Sequence, residues 1–207
     1  MTANKDDFEP KARLLIGGIE WTIIQTTESW VKCITSDIIG ERAFDEQNRN
    51  DFAVSDIRAY LNGEFLEKMI GAGAPEGMFE YFNVDLTTDD GLDKYGGDRV
   101  RIGLITCDEY RLFRKHIPQI DKWWWTATAD SPINSLVRNV NSDGSLNVYY
   151  AYNGYRGVRP LCTLNSEILK SYIDGDAKKR AEAVDMMKHI AAAFNIQPQE
   201  VFGGGDK

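Results

Sequence analysis

The sequence predicts antiparallel strands with helices laid against them, and three observations carry that prediction. A glycine pair, Gly17-Gly18, joins two β-prone runs. A four-residue apolar repeat marks residues 56–70, and Asp143-Gly144 divides a late stretch rich in tyrosine and asparagine. At 207 residues, 43% of them hydrophobic, the chain is long enough to close one substantial core.

The elements follow in order. Residues 12–16 and 19–25 are apolar and β-prone, and glycine at both turn positions accepts the positive φ of a tight hairpin. A third run over 30–34 continues the meander. Ser55 is placed to cap a helix over 56–70, where Ile57, Leu61, Phe65 and Met69 make an apolar face to lie on a sheet. Residues 71–97 mix glycine and acidic residues without a sustained period and read as a long, partly packed loop; Gly71-Ala72-Gly73 is a flexible turn, since no lysine follows to make a phosphate cradle. Residues 100–105 read as a strand. Thr106 and Glu109 have capping-box spacing for a short helix reaching about His116.

From Trp123 the character changes. Trp123, Trp124 and Trp125 lead a strand, and alternation predicts Trp123 and Trp125 inside with Trp124 partly exposed. Past the Asp143-Gly144 turn, Leu146, Val148, Tyr150 and Tyr152 fall on one side, with Asn147, Tyr149, Ala151 and Asn153 on the other. Gly157-Val158-Arg159-Pro160 introduces a last strand over 161–164. A second amphipathic helix spans 176–194, with a stripe of Ala177, Ala181, Val184, Met187, Ala191 and Phe194 expected to dock on its own domain, and the Gly203-Gly204-Gly205 tail reads as disordered. The domain division is 1–174, followed by helix and tail over 175–207.

Charge and composition exclude several classes. Lys and Arg total 24 against 32 Asp and Glu, a net charge of -8, which disfavours direct nucleic-acid binding and suits a basic protein partner. No apolar run is long enough for a membrane span and the acidic start lacks the pattern of a signal peptide, so a soluble, unprocessed, cytoplasmic protein is expected. Three scattered cysteines, Cys33, Cys107 and Cys162, fit a reducing compartment; with only His116 and His189, a histidine metal cage cannot be built, and His189 reads as a surface residue. The loop acids Asp85, Asp89, Asp90 and Asp93 lack EF-hand spacing and read as a solvated loop rather than a calcium site.

The order of signals also carries a resemblance. The segments Ser55-Asp56-Ile57-Arg58-Ala59-Tyr60-Leu61-Asn62-Gly63-Glu64-Phe65, Asp98-Arg99-Val100, Trp123-Trp124-Trp125-Thr126, Ser142-Asp143-Gly144 and Gly157-Val158-Arg159-Pro160 resemble a bacterial and phage domain family of unknown function with S-x-I-R-x-W-L-N-x-x-F, W-W-L-R-S-P and G-V-R-P segments. The resemblance spans about residues 14–164. Tyr60 stands where that pattern has tryptophan, and Trp125-Thr126-Ala127-Thr128 replaces L-R-S-P, resembling the formylglycine-generating branch. The family's fold resembles C-type lectins and formylglycine-generating enzymes, which implies an α+β module with twisted antiparallel sheets, two helices and long loops, extended here by a C-terminal helix.

Fold alone does not assign function. The catalytic relatives need a reactive cysteine pair before the final strand or an iron-binding histidine cluster, and neither is present; Cys162 reads as a buried, inert thiol, so no enzyme activity and no cofactor are expected. Arg159 reads as a buried guanidinium bonded within the final turn. The stretch over 138–155 resembles antibody loops, in which tyrosine gives large contact area and small polar residues adapt their hydrogen bonds. Trp124, Arg138, Tyr149, Asn153, Tyr155 and Arg156 are the candidate binding residues. The expected function is a non-enzymatic recognition module of bacterial or phage origin that binds a protein partner, for instance as a phage-encoded inhibitor of a host protein. The alternative is a carbohydrate- or receptor-binding module of a phage particle or cell surface.

Overall fold

A computed structural model of the protein describes residues 8–193. The N-terminal meander forms as expected: β1 (Arg13–Ile16), β2 (Ile19–Thr26) and β3 (Trp30–Thr35) run antiparallel. Gly17 and Gly18 have φ of 57° and 75°, the left-handed pair that matches strand twist across a two-residue turn. A Cβ on Gly17 would lie 2.9 Å from Met69 Cε and 3.2 Å from the Met69 carbonyl oxygen, whereas one on Gly18 would meet nothing within 4 Å. Both alanine substitutions meet the left-handed penalty of about 1–2 kcal/mol, but only Gly17→Ala also disturbs the helix. Urea denaturation is expected to rank Gly17→Ala below Gly18→Ala; equal midpoints would show that the Met69 contact yields freely.

Ser55 Oγ accepts the Arg58 N–H and starts α1 (Asp56–Tyr60), which passes through a π-helical turn over Leu61–Phe65 into α2 (Leu66–Gly71). The wide turn explains the sequence pattern. A helix advances about 100° per residue, so a strict four-residue repeat drifts about 40° at each step, and a turn bonded i to i+5 takes back part of that drift. Ile57, Leu61, Phe65 and Met69 are accordingly all buried. Burying each such side chain is worth about 1.5–3 kcal/mol.

Residues 71–97 depart from the expected loop. After the turn at Gly73 they form β4 (Phe79–Glu80) and β5 (Phe82–Asp85), and β5 pairs with β6 (Gly97–Val100) as a separate ribbon. The strand expected over 100–105 is broken at Arg101, leaving β7 (Ile102–Gly103). The Thr106–Glu109 capping box is complete and opens α3 (Cys107–Phe113), which stops short of His116. Then come β8 (Trp124–Ala129), β9 (Leu136–Val140), β10 (Leu146–Tyr150) and β11 (Leu161–Asn165).

Three antiparallel sheets result among the described residues. The largest has the order β1-β2-β3-β11-β4, with β7 also on β11; β11 therefore lies against β3 on one edge and against two short strands, end to end, on the other. The second has the order β10-β9-β8, and β5-β6 is the third. The core joins the first two through Ile24, Ile34, Leu161, Trp124, Val140 and Tyr110. The motif segments meet in space as well: Arg58 forms a two-pronged ion pair with Asp98, at 2.7 and 3.1 Å, and Asn62 bonds the N–H groups of Arg101 and Ile102 and the Ile102 carbonyl.

The helix read over 176–194 begins earlier. As α4 (Ser166–Ala193) it starts where Asn165 Oδ1 accepts the N–H groups of Glu167 and Ile168. Along it, Asp176 pairs with Arg180 and Lys178 with Glu182, supports of i,i+4 type. His189 is exposed, as expected. Compact units divide at Leu169–Lys170. Phe194 and the glycine tail lie outside the described residues. Among those residues, no helix is long and apolar enough to cross a membrane.

Candidate functional site

The sheet β10-β9-β8 presents the tyrosine-rich stretch. Its hairpin turns where expected: Gly144, at φ 79°, donates its N–H to the Asn141 carbonyl, and Asp143 Oδ1 accepts from Ser145 N–H and Oγ. Tyr110 Oη donates to the Gly144 carbonyl and ties the turn to α3. The outer strand β10 ends at Tyr150, so the alternation read through residue 153 stops there. Ala151 turns inward and is buried, with its N–H on the Ser135 carbonyl, while Tyr149, Tyr150, Tyr152 and Tyr155 are all exposed.

Trp123 and Trp124 exchange the places predicted for them. Trp124 is 2% exposed and Trp125 is fully buried, whereas Trp123 is 41% exposed. The reason is that β8 is covered on both faces, all six residues being buried, so no alternation exists to read. Trp124 packs edge-on to Tyr110 with ring centroids 5.7 Å apart, and Trp125 packs edge-on to Phe44 at 5.9 Å with its Nε1–H on the Arg42 carbonyl. Trp124 is a core residue rather than a surface contact.

Arg156 also departs from the expected open contact, being only 6% exposed. Its guanidinium lies over the Tyr149 ring at 4.0 Å and the Trp123 ring at 4.6 Å, a cation held against two aromatic faces. Asn153 Oδ1 accepts one Nη1 hydrogen bond, and Nε has no partner among the described residues. No carboxylate among them pairs with it. Burial pulls its pKa below the ordinary guanidinium value, against the opposing influence of Tyr149. Tyr150 and Tyr152 stack at 5.6 Å beyond this cluster, and Tyr155, at 79% exposure, adjoins Arg156 in the chain.

Of the six predicted binding residues, Tyr149, Asn153, Tyr155 and Arg156 come together. Arg138 does not join them: it is opposite Val148, and thus on the other face from Tyr149, where it pairs with Asp89 and Asp130. The residue missed by sequence reasoning is Trp123. Its position one residue ahead of the doubly covered strand was the only signal for it.

Three of the four loop acids are engaged by other side chains. Asp85 accepts from Thr87, Asp89 pairs with Arg111 and Arg138, and Asp90 accepts from Thr88. Among the described residues no group of acids, cysteines and histidines is arranged to hold a metal ion. The three thiols are buried and free, and burial raises the pKa of Cys33, Cys107 and Cys162.

Residues 78–166 match the family model of a domain of unknown function, DUF6273. The DUF6273 segment runs from Met78, just ahead of β4, to Ser166, just past β11, and so contains Trp123, Tyr149, Asn153, Tyr155 and Arg156. It begins after β1–β3 and the helical segment 56–71, which supply the other half of the main sheet and core. No curated protein and no solved structure matches the chain.

Proposed function

We propose that this protein is a non-enzymatic recognition module that binds a protein partner through the Trp123–Arg156–Tyr149 face, on the C-type-lectin-like scaffold implied by its motifs. The observation that carries this reading is the stacking of Arg156 against two partly exposed rings, with the exposed Tyr155 next to it in the chain. Aromatic side chains with few rotatable bonds give large contact area at low entropic cost, and the buried cation fixes two of the rings before any partner arrives, which reduces the ordering cost of binding. Recognition is favoured over catalysis because buried thiols with raised pKa are poor nucleophiles and poor copper ligands. The net charge of -8 speeds encounter with a basic partner. A bacterial or phage origin, and the role of an inhibitor of a host protein, belong to the same reading.

Affinity capture from bacterial lysate, followed by direct titration of the captured protein, tests it. Tyr155→Ala and Tyr149→Ala are expected to weaken the complex by at least about tenfold each, as central aromatic anchors do, while Tyr81→Ala, on a separate surface, leaves it unchanged. A partner that binds both tyrosine variants as well as the parent protein would eliminate this face.

A further inference from the structure

A second surface, away from the tyrosine hairpin, has the features of a small-molecule site. On the β3-β11-β4 part of the main sheet, Lys32 is the register partner of Thr163, and Thr163 is in turn the partner of Glu80. An ammonium, a hydroxyl and a carboxylate therefore stand in a row across three strands, spaced by about 4.8 Å per strand. The next row on the same face holds Asn165 opposite Trp30. The other face of these strands carries Val31, Cys33, Cys162 and Leu164 into the core. With Tyr81 as a further wall, these side chains line a groove of about 420 Å³, within the range of small-ligand sites.

Three details say what kind of molecule fits. First, the Thr163 hydroxyl is buried at the floor with no hydrogen-bond partner among the described residues, although the side chain lines the groove. Second, the polar groups are already positioned: Lys32 Nζ is held by Glu109 at 2.6 Å, Asn165 Nδ2 donates to Glu80 at 2.9 Å, and the Arg99 and Arg101 guanidinium carbons lie 4.9 and 5.0 Å from the centre of the Tyr81 ring. Third, the two charged residues that line the groove are of opposite sign, Lys32 and Glu80. An anion would meet Glu80, a cation would meet Lys32, and an apolar ligand would strand the whole polar row.

The geometry points to a neutral saccharide as the ligand of this groove, with ring hydroxyls bonded to Lys32, Thr163, Glu80 and Asn165 and a C–H face laid on Trp30. A hydroxyl both donates and accepts, so one sugar edge satisfies an ammonium, an amide and a carboxylate in sequence. The amphipathic Trp30 ring supplies the apolar counterpart. This site is independent of the protein-binding face.

Saturation-transfer NMR on the full chain, with glucose, galactose, mannose, N-acetylglucosamine and glucuronate as separate probes, tests the inference. At least one neutral sugar is expected to show transfer, strongest on its ring C–H protons. Thr163→Val, which removes a hydroxyl that bonds nothing in the free protein, is expected to weaken that sugar by about fivefold. Trp30→Ala, with its fold checked by circular dichroism, abolishes the signal, and Tyr155→Ala leaves it intact. Silence with all four neutral sugars, transfer confined to glucuronate, or unchanged binding by Thr163→Val or Trp30→Ala would overturn the assignment.

Discussion

Arg159→Met is expected to lower the unfolding free energy by about 3 kcal/mol. The side chain is 1% exposed and donates from Nε to the Thr35 carbonyl at 2.8 Å, from Nη2 to the Ser36 carbonyl at 2.9 Å and from Nη1 to the Pro118 carbonyl at 3.0 Å. Its guanidinium also lies 5.0 Å from the centre of the buried Trp124 ring. One residue thus bonds the end of β3 to the loop after α3, from the turn that leads into β11. Methionine fills much of the volume but leaves three carbonyls without their donor. Removing a cation from the interior offsets part of that cost, because burial is unfavourable enough to push the Arg159 pKa down to about 10. Arg159→Lys is expected to lose nearly as much, since an ammonium cannot serve three carbonyls in a planar fork. Denaturation followed by tryptophan fluorescence and far-UV dichroism measures both; a loss of under about 1 kcal/mol for Arg159→Met would mean that Thr35, Ser36 and Pro118 find other donors.

The second large effect is expected at Asp45. This carboxylate has no solvent exposure, and it accepts from the Arg49 side chain at 2.6 and 3.0 Å, from the Arg49 N–H at 2.9 Å and from the Asp56 N–H at 3.3 Å. Asp45→Ala removes the acceptor of the Arg49 and Asp56 N–H groups and the ion-pair partner of the Arg49 side chain, and is expected to cost about 3 kcal/mol. Burial alone would raise the Asp45 pKa, but the hydrogen bonds and charge of Arg49, with the Asp56 N–H, outweigh it and hold the pKa below the ordinary carboxylate value. The contribution is therefore fully present above the unfolded-state pKa of about 3.9, and is lost as pH falls through the lower folded-state value. In the parent protein stability should drop on acidification below about pH 4, and in Asp45→Ala that part of the drop should be missing. Parallel acid profiles for the two would remove Asp45 from the account. The same loop supports the proposed binding face, since Asp45 N–H bonds the Ala151 carbonyl and Asn48 Oδ1 accepts the Tyr152 N–H. Partner binding should weaken in Asp45→Ala although no contact residue has changed.

Features whose cause is local were legible in the sequence. The Gly17-Gly18 hairpin, the Ser55 cap, the Thr106–Glu109 box and the Asp143-Gly144 turn each depend on residues a few positions apart, and all form where they were read. The strands β4 and β5 were not legible, because runs of two and four residues inside a glycine-rich, acidic stretch display no period. Trp124 was misplaced for a different reason: a strand covered on both faces erases the alternation that would orient it. In the candidate face, tyrosine-rich composition located the hairpin, but the role of Arg156 depends on Trp123, 33 positions earlier by number. The row of Lys32, Thr163 and Glu80 lies further beyond reach, since it exists only through the register of three strands drawn from distant parts of the chain.

The place of β11 between β3 and the short strands β4 and β7 also governs how the molecule can be made. β11 is the last strand among the described residues and yet lies inside the largest sheet, so the partners of β3, β4 and β7 along that seam all arrive together, more than a hundred residues after β3 has been synthesised. Local hairpins can form on the ribosome, but the central sheet closes only when residues 161–165 have emerged, and closure through such distant contacts is slow. During that interval the β3 edge is an open template for other strands. Translation speed through the second half of the message and chaperone cover of the nascent first half therefore bear directly on the yield of folded protein.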